Sequence, residues 1–502
     1  MKRIILSIVA VVCVNIGLAQ ERFTIGDLTY EVIDSNEVEV CQCDTSVNSV
    51  FVPDMVTIES KNYAVTAIGF GAFNNCRNLV SIDISNGIRY IKPFAMEKCT
   101  KLTTINIPNS VTEIHIGAFQ DCISLETFTI PSSVQRIAEK VFYNTAYYNN
   151  KNNWNNDVLY KDNCLLVADT NISGKCSILD NTRLIATNAF IACTNLIVID
   201  IPQSVTKINL GAFRNCISLK SVIIPSSITN IETSLFEGCS SLNNVVIPQT
   251  VREIGVCAFS DCISLTSMII PNGVTRIEFA TFSGCSSLTD ITLPSSIKSI
   301  GLSSFYKCIS LRAIEIPYGV IGIEEKAFYG CVSLSAINIP NTVKTIGYSV
   351  FAYCDSLTEV VISNSVKNIG NAVFSHCSKL TSVKLSDSID VIGYNLFDSC
   401  INLKSITIPN HVEYICPDAF ANCINLTDIT IGSGVDRIES YSFETNNLTT
   451  IISLSQKPPR IGNKAFRYPN AATLQVPRGS LERYKASDWN KYFEGRIVEI
   501  EE

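Results

Sequence analysis

A phenylalanine returns every 23 residues from Phe190 to Phe466, at thirteen successive positions without a slip, and an earlier run at the same step carries Phe73, Met96, Phe119 and Phe142. A fixed period of this length means a stack of one small supersecondary unit, not a row of independent globular domains. The interval from Phe142 to Phe190 is 48 residues, two steps plus two, so one coil between them has been remodelled. The whole array amounts to about eighteen coils.

One unit shows what each coil is made of. Leu265, Met268, Ile270, Pro271, Val274, Ile277, Thr281, Phe282 and Cys285 occupy its fixed positions, in the pattern L-x-x-I-x-I-P-x-x-V-x-x-I-x-x-x-A-F-x-x-C. The first part alternates apolar and polar, favours β-branched residues and stops at proline, which has no N–H for a next ladder bond; it reads as one short strand. The remainder returns apolar groups at spacings of three and four, which predicts turns and short helical pieces. Such a unit cannot bury its apolar side alone, but stacked on its copies it forms a continuous column. The expected fold is an α/β-type repeat solenoid. It has a single parallel sheet on the concave face, turns and helical pieces on the convex side, a small β cap at the N-terminus and an aromatic cap at the C-terminus.

These residues carry a family resemblance. Pro108 to Val111 (P-x-S-V), Ile300 to Phe305 (I-G-x-x-x-F, with Ser304 where Ala is usual) and Cys216 to Leu219 (C-x-S-L) resemble the BspA-type leucine-rich repeat of bacterial surface proteins, over about residues 60 to 470. The resemblance implies a surface-exposed, non-enzymatic binding protein, with adhesion to host matrix proteins or neighbouring cells as the expected role. The competing expectation is a carbohydrate-binding or carbohydrate-processing accessory protein.

Composition excludes several other classes. With 46% apolar residues and a net charge of −7, the chain has ample core material and lacks the basic footprint of a nucleic-acid binder. Its three histidines, His115, His376 and His411, are far apart, and neither nucleophile-elbow, P-loop, zincin nor calcium-loop spacing occurs. No catalytic residue, cofactor or metal is expected, and the partner is expected to be a protein, with the chain itself a monomer.

Lys2 and Arg3 precede an apolar run from Ile4 to Val14, followed by Asn15, Ile16 and small positions at Gly17 and Ala19, the order of a secretory leader. That run is too short to span a membrane, and no other segment is long enough. The expected organisation is a leader at 1–19, a β cap at 20–66, repeats at 67–142, a remodelled coil at 143–189, repeats at 190–466 and a cap at 467–502.

Fourteen of the 21 cysteines stand three residues after the register position, from Cys76 to Cys423. Their Cβ vectors would run parallel in a stack, which a disulfide cannot use, so buried thiols acting as small apolar spacers are expected. Cys164 and Cys176 could bridge a local hairpin.

Two surfaces are candidates for binding. On each strand the residue after the buried apolar position faces outward, and in that column Ile223, Val246 and Ile269 are three consecutive apolar residues on a mostly polar face. The alternative is that β-branched residues simply suit strands. The second candidate is the Asn-dense loop carrying Tyr147, Tyr148 and Trp154, whose rings either meet a partner or staple the insertion to its flanking coils.

Overall fold

The computed structural model describes residues 21–501 apart from Asn446, Tyr468 and Asn470. The leader expected at 1–19 lies outside the described residues. The chain forms two compact units that divide between Trp154 and Asn155.

In the first unit, Arg22–Ile25, Leu28–Asp34 and Glu37–Cys43 make an antiparallel meander. Glu37–Cys43 then pairs in parallel with Lys61–Ile68, and the ladder continues through Tyr90–Ile91, Glu113–Ile114 and Arg136–Ile137. The meander therefore covers the edge that the first coil would otherwise leave unpaired.

In the second unit the repeat is seen at full length. The strand Ser267–Ile269 has Met268 buried between two exposed neighbours, and Arg276–Ile277 forms a second short strand with Ile277 buried. Between coils, Met268 aligns with Ile291 and Ile277 with Ile300, so each apolar position lies over its copy. Phe282, Cys285 and Leu288 complete the column, all fully buried. The core is thus one continuous cluster running from Val158 to Ile497.

The leucine-rich-repeat solenoid is as expected, with two differences in detail. First, each coil contributes two strands and not one, and the column of three-residue strands is divided into segments. Ser173–Ser177, Asn195–Asp200, Ser221–Ile223 and Asn244–Val246 form one sheet, while among the described residues Ser267–Ile269 pairs only with Asp290–Thr292. Strands of three residues exchange so few bonds that a small widening between coils ends the ladder, while the buried column carries cohesion across the gap.

Second, the return arm contains turns where helical pieces were expected. Its backbone N–H groups alternate in destination. Ala280, Phe282 and Gly284 donate to Leu302, Ser304 and Tyr306 of the next coil, at 3.0, 2.8 and 2.8 Å. Ser283 and Cys285 donate back three residues, to Ala280 and Phe282. With every second donor committed to a neighbouring coil, no i to i−4 run can propagate into a helix. From Phe190 to Phe420 the alternation is accompanied by a left-handed residue two positions before and two after each Phe, as at Ala280 (φ 52°) and Gly284 (φ 74°).

The chain ends in the strand Thr473–Val476, the helices Leu481–Lys485 and Asn490–Phe493 and the strand Ile497–Glu499. Trp489 is fully buried there and donates its Nε1–H to the Pro459 carbonyl at 2.8 Å. That bond satisfies the one polar group a buried indole carries.

Candidate binding surface

The strand alternation that turns Val222 and Met268 into the core, with Val245 half-buried between them, turns Ile223, Val246 and Ile269 outward. They are 65%, 49% and 69% exposed. Ile223 and Val246 are direct register partners in one ladder. Ile269 follows in the next coil on the equivalent position, but its register partner is Thr292, in a separate ladder. The structure therefore joins two of the three residues in a cross-strand pair and sets the third beyond a ladder break. Val361 repeats the exposed apolar position further along, paired with Lys384. The same column begins at Ser177, whose hydroxyl bonds the carboxylate of Asp200 at 3.0 Å. Lys175 also reaches that carboxylate, and the two hydrogen bonds hold Asp200 below the ordinary carboxylate range.

Tyr147, Tyr148 and Trp154 belong to the first unit and are half-buried. The Trp154 ring meets Tyr148 edge-on at 5.3 Å, and its Nε1–H donates to the Tyr148 carbonyl at 2.8 Å. Tyr147 lies edge-on to Phe128 at 5.0 Å, and Tyr148 to Tyr143 at 5.2 Å. These rings spend much of their surface on one another and on the coil beneath, the geometry of a staple. The Lys151 ammonium covers the Trp154 ring at 4.4 Å.

Two features escape a column-by-column reading of the sequence. One is a row of adjacent rings on the return arm, Tyr306, Tyr329, Tyr353 and His376, spaced 5.1, 5.2 and 4.4 Å apart, the outer two pairs stacked and the middle pair tilted. It switches from the position after Phe to the one beyond it, so no single register position reveals it. The other is a cavity of about 380 Å³ in the remodelled coil, between the stretch 155–160 and the strand Ser173–Ser177. Its signal is only the two extra residues between Phe142 and Phe190.

All twenty described cysteines, from Cys41 to Cys423, are free thiols, Cys164 and Cys176 included. Burial pushes the Cys239 thiol up to about 12, which removes it from nucleophilic chemistry near neutrality. Among the described residues no group of three or more His, Cys, Asp and Glu side chains is placed to hold a metal ion. None of the helices there is long and apolar enough to cross a membrane.

A stack of 23-residue coils with two parallel strand columns and an outward row of variable residues defines a leucine-rich-repeat protein. The family model of the BspA-type leucine-rich repeat region matches residues 50–160, 168–289, 275–404 and 390–487, and the chain belongs to that family. It is similar to a leucine-rich repeat protein of Bacteroides ovatus, at 30% identity over 78% of this chain and 95% of that one, with a TM-score of 0.46. A leucine-rich cell surface protein of Faecalibacterium prausnitzii is 25% identical over 86% of this chain and 94% of its own, with a TM-score of 0.35. A leucine-rich repeat protein of T. pallidum is 25% identical over 49% of this chain and 91% of its own, with a TM-score of 0.24. No curated protein matches the chain.

Proposed function

We propose that the protein is a secreted or cell-surface, non-catalytic binding scaffold that adheres to a host or neighbouring-cell protein through the face carrying Ile223, Val246 and Ile269. The observation that carries this reading is the exposure of three apolar residues in consecutive coils on a mostly polar face, on which Val361 stands alone further along. Exposed apolar side chains that are contiguous and rimmed by polar ones mark interaction sites more often than chance contacts. Export is supported by the leader order of residues 1–19, and membership of a family of repeat proteins supports binding over catalysis.

The test is binding of the purified protein to a panel of extracellular-matrix proteins, with Ile223→Ser, Val246→Ser and Ile269→Ser combined in one variant. Central interface residues typically dominate affinity, so a loss of about tenfold or more is expected. A triple variant that folds normally and keeps full affinity for every partner of the native protein would end this assignment. Attention would then move to Tyr147, Tyr148 and Trp154.

A further inference from the structure

We propose that the cavity in the remodelled coil binds an uncharged saccharide unit, at a site separate from the apolar column. The inference rests on how residues 155–179 are folded. Asn156 and Asp157 are both left-handed, with φ of 47° and 65°, and turn the chain into the strand Val158–Lys161. This strand doubles back on Cys164–Ala168 as an antiparallel hairpin, which no regular coil contains. The chain then enters Ser173–Ser177, whose only partner strand among the described residues is Asn195–Asp200. Their pairing slips between Gly174 and Lys175, and Gly174 has φ 69°. A bulge of this kind bends a strand and re-aims its side chains, and bulges recur beside ligand sites.

The space left between these segments, about 380 Å³, lies in the range of small-ligand pockets, toward its lower end. Its lining is chemically divided. Asn155, Asn156 and Ser173 present amide and hydroxyl groups that make no side-chain hydrogen bond among the described residues. Opposite in character, Val158, Ile172 and Leu179 supply an apolar wall. Tyr160 adds a half-buried ring, fixed through a hydrogen bond between its hydroxyl and the Leu179 backbone. A pyranose has this same division, with hydroxyls around its rim and C–H groups on its faces.

Charge argues for a neutral ligand. The two charged residues of the lining are Asp157 and Lys175, and the Lys175 ammonium is already held by Asp200 at 2.7 Å. An anion would have to compete with Asp200 and sit beside Asp157, while a cation would find one exposed carboxylate and no cage. Three unengaged neutral groups remain as the principal hydrogen-bonding complement.

The experiment is saturation-transfer NMR of the full chain with free neutral hexoses, N-acetylhexosamines and their disaccharides, and with anionic sugars in parallel. Asn156→Gly deletes one amide while keeping a residue suited to positive φ, so it preserves the turn. Ser173→Trp fills the cavity from an exposed position. At least one neutral saccharide should bind, and each variant should weaken it about tenfold or more, while Ile223→Ser leaves it unchanged. A glycoprotein arm, with and without enzymatic deglycosylation, separates free sugar from conjugated glycan. Glycan-dependent capture that is lost in Asn156→Gly supports the site with a conjugate as its source. Absence of any neutral-sugar binding in both arms, binding confined to anionic sugars, or binding that persists in both cavity variants would overturn the proposal. Because Ile223→Ser leaves this site intact, failure here and failure of the adhesion face are distinguishable.

Discussion

The thiol of Cys285 donates to the carbonyl oxygen of Phe259 at 3.1 Å, the same oxygen that accepts the backbone N–H of Cys262 at 3.2 Å. The relationship repeats at Cys308 with Phe282, Cys331 with Phe305 and Cys423 with Phe397, at 3.1, 3.2 and 3.1 Å. From Cys216 to Cys423 each ladder cysteine therefore supplies a second donor to a buried carbonyl of the preceding coil, as well as filling space. A buried carbonyl has two lone pairs, and a weak S–H donor meets the one the backbone leaves over.

This arrangement makes stability fall in alkali. Burial pushes Cys239, Cys331 and Cys377 up to about 12, whereas a thiol in the unfolded chain ionises near roughly 8.5. Between those values the unfolded state releases protons that the folded state keeps. The contribution is therefore complete below about pH 8.5 and is lost as pH rises toward the folded value. Each fully linked thiol should cost about 1.4 kcal/mol per pH unit inside that window. Denaturant midpoints measured under reductant at about pH 7 and about pH 10 should drop steeply, and less steeply in Cys239→Ala. Equal midpoints at both values would contradict the buried, protonated ladder.

The phenylalanine column should behave as a chain of nearest neighbours. Phe282 lies between Phe259 and Phe305, with ring centroids 5.6 and 5.5 Å away and planes within 3° and 9° of parallel. Phe282→Ala removes both contacts and leaves a cavity, so a loss of about 3–5 kcal/mol is expected. Hydrogen exchange should rise first in the coils beside it and leave distant coils protected, since coupling passes mainly between adjacent repeats. Uniform loss of protection along the second unit would argue for global cooperativity instead.

Much of this was legible because a 23-residue repeat reports each position many times. Phe282, Cys285, Met268 and Ile277 were assigned to the core from spacing alone, and all four are buried. The second strand at Arg276–Ile277 was not legible, because two residues carry too little alternation to be separated from a turn. The arm's expected helical pieces failed for a related reason: spacings of three and four record which side chains point inward, and cannot show that alternate N–H groups are spent on the next coil. The ladder break between Val246 and Ile269 leaves no mark on sequence either, since both residues keep the register. The cavity depends on a hairpin and a bulge at Gly174 that belong to no repeat. One signal was available and is visible in retrospect. The residues with positive φ on the return arm, such as Asn215, Asp261, Lys307 and Ser399, never include Val, Ile or Thr.

That exclusion gives a prediction about backbone strain. Ala192 is exposed and has φ 57°, a conformation costing an L-residue about 1–2 kcal/mol relative to glycine. Ala192→Gly should stabilise the protein by about 0.5–1 kcal/mol, less than the full strain because glycine also gives the unfolded chain more freedom. Ala192→Val should destabilise it, since a β-branched residue tolerates this region least. Thermal melts of the two variants that moved in the same direction would refute the assignment.

The outward column offers a test of the ladder break itself. Ile223 and Val246 are register partners on adjacent strands, so their side chains stand directly beside one another across the ladder. Val246 and Ile269 occupy the same positions of successive coils without pairing, because Ile269 aligns with Thr292 in the next sheet segment. Cross-strand neighbours contribute roughly 0.2–1 kcal/mol beyond their separate effects, while residues that share no contact add independently. Each single change to Ser at these exposed positions should alter stability by under about 0.5 kcal/mol. In double-mutant cycles, Ile223→Ser with Val246→Ser should show a coupling of a few tenths of a kcal/mol. Val246→Ser with Ile269→Ser should be additive within about 0.3 kcal/mol. Coupling of equal size in both cycles would mean that the face is one continuous sheet in solution, and that Ile269 packs against Val246 as closely as Ile223 does.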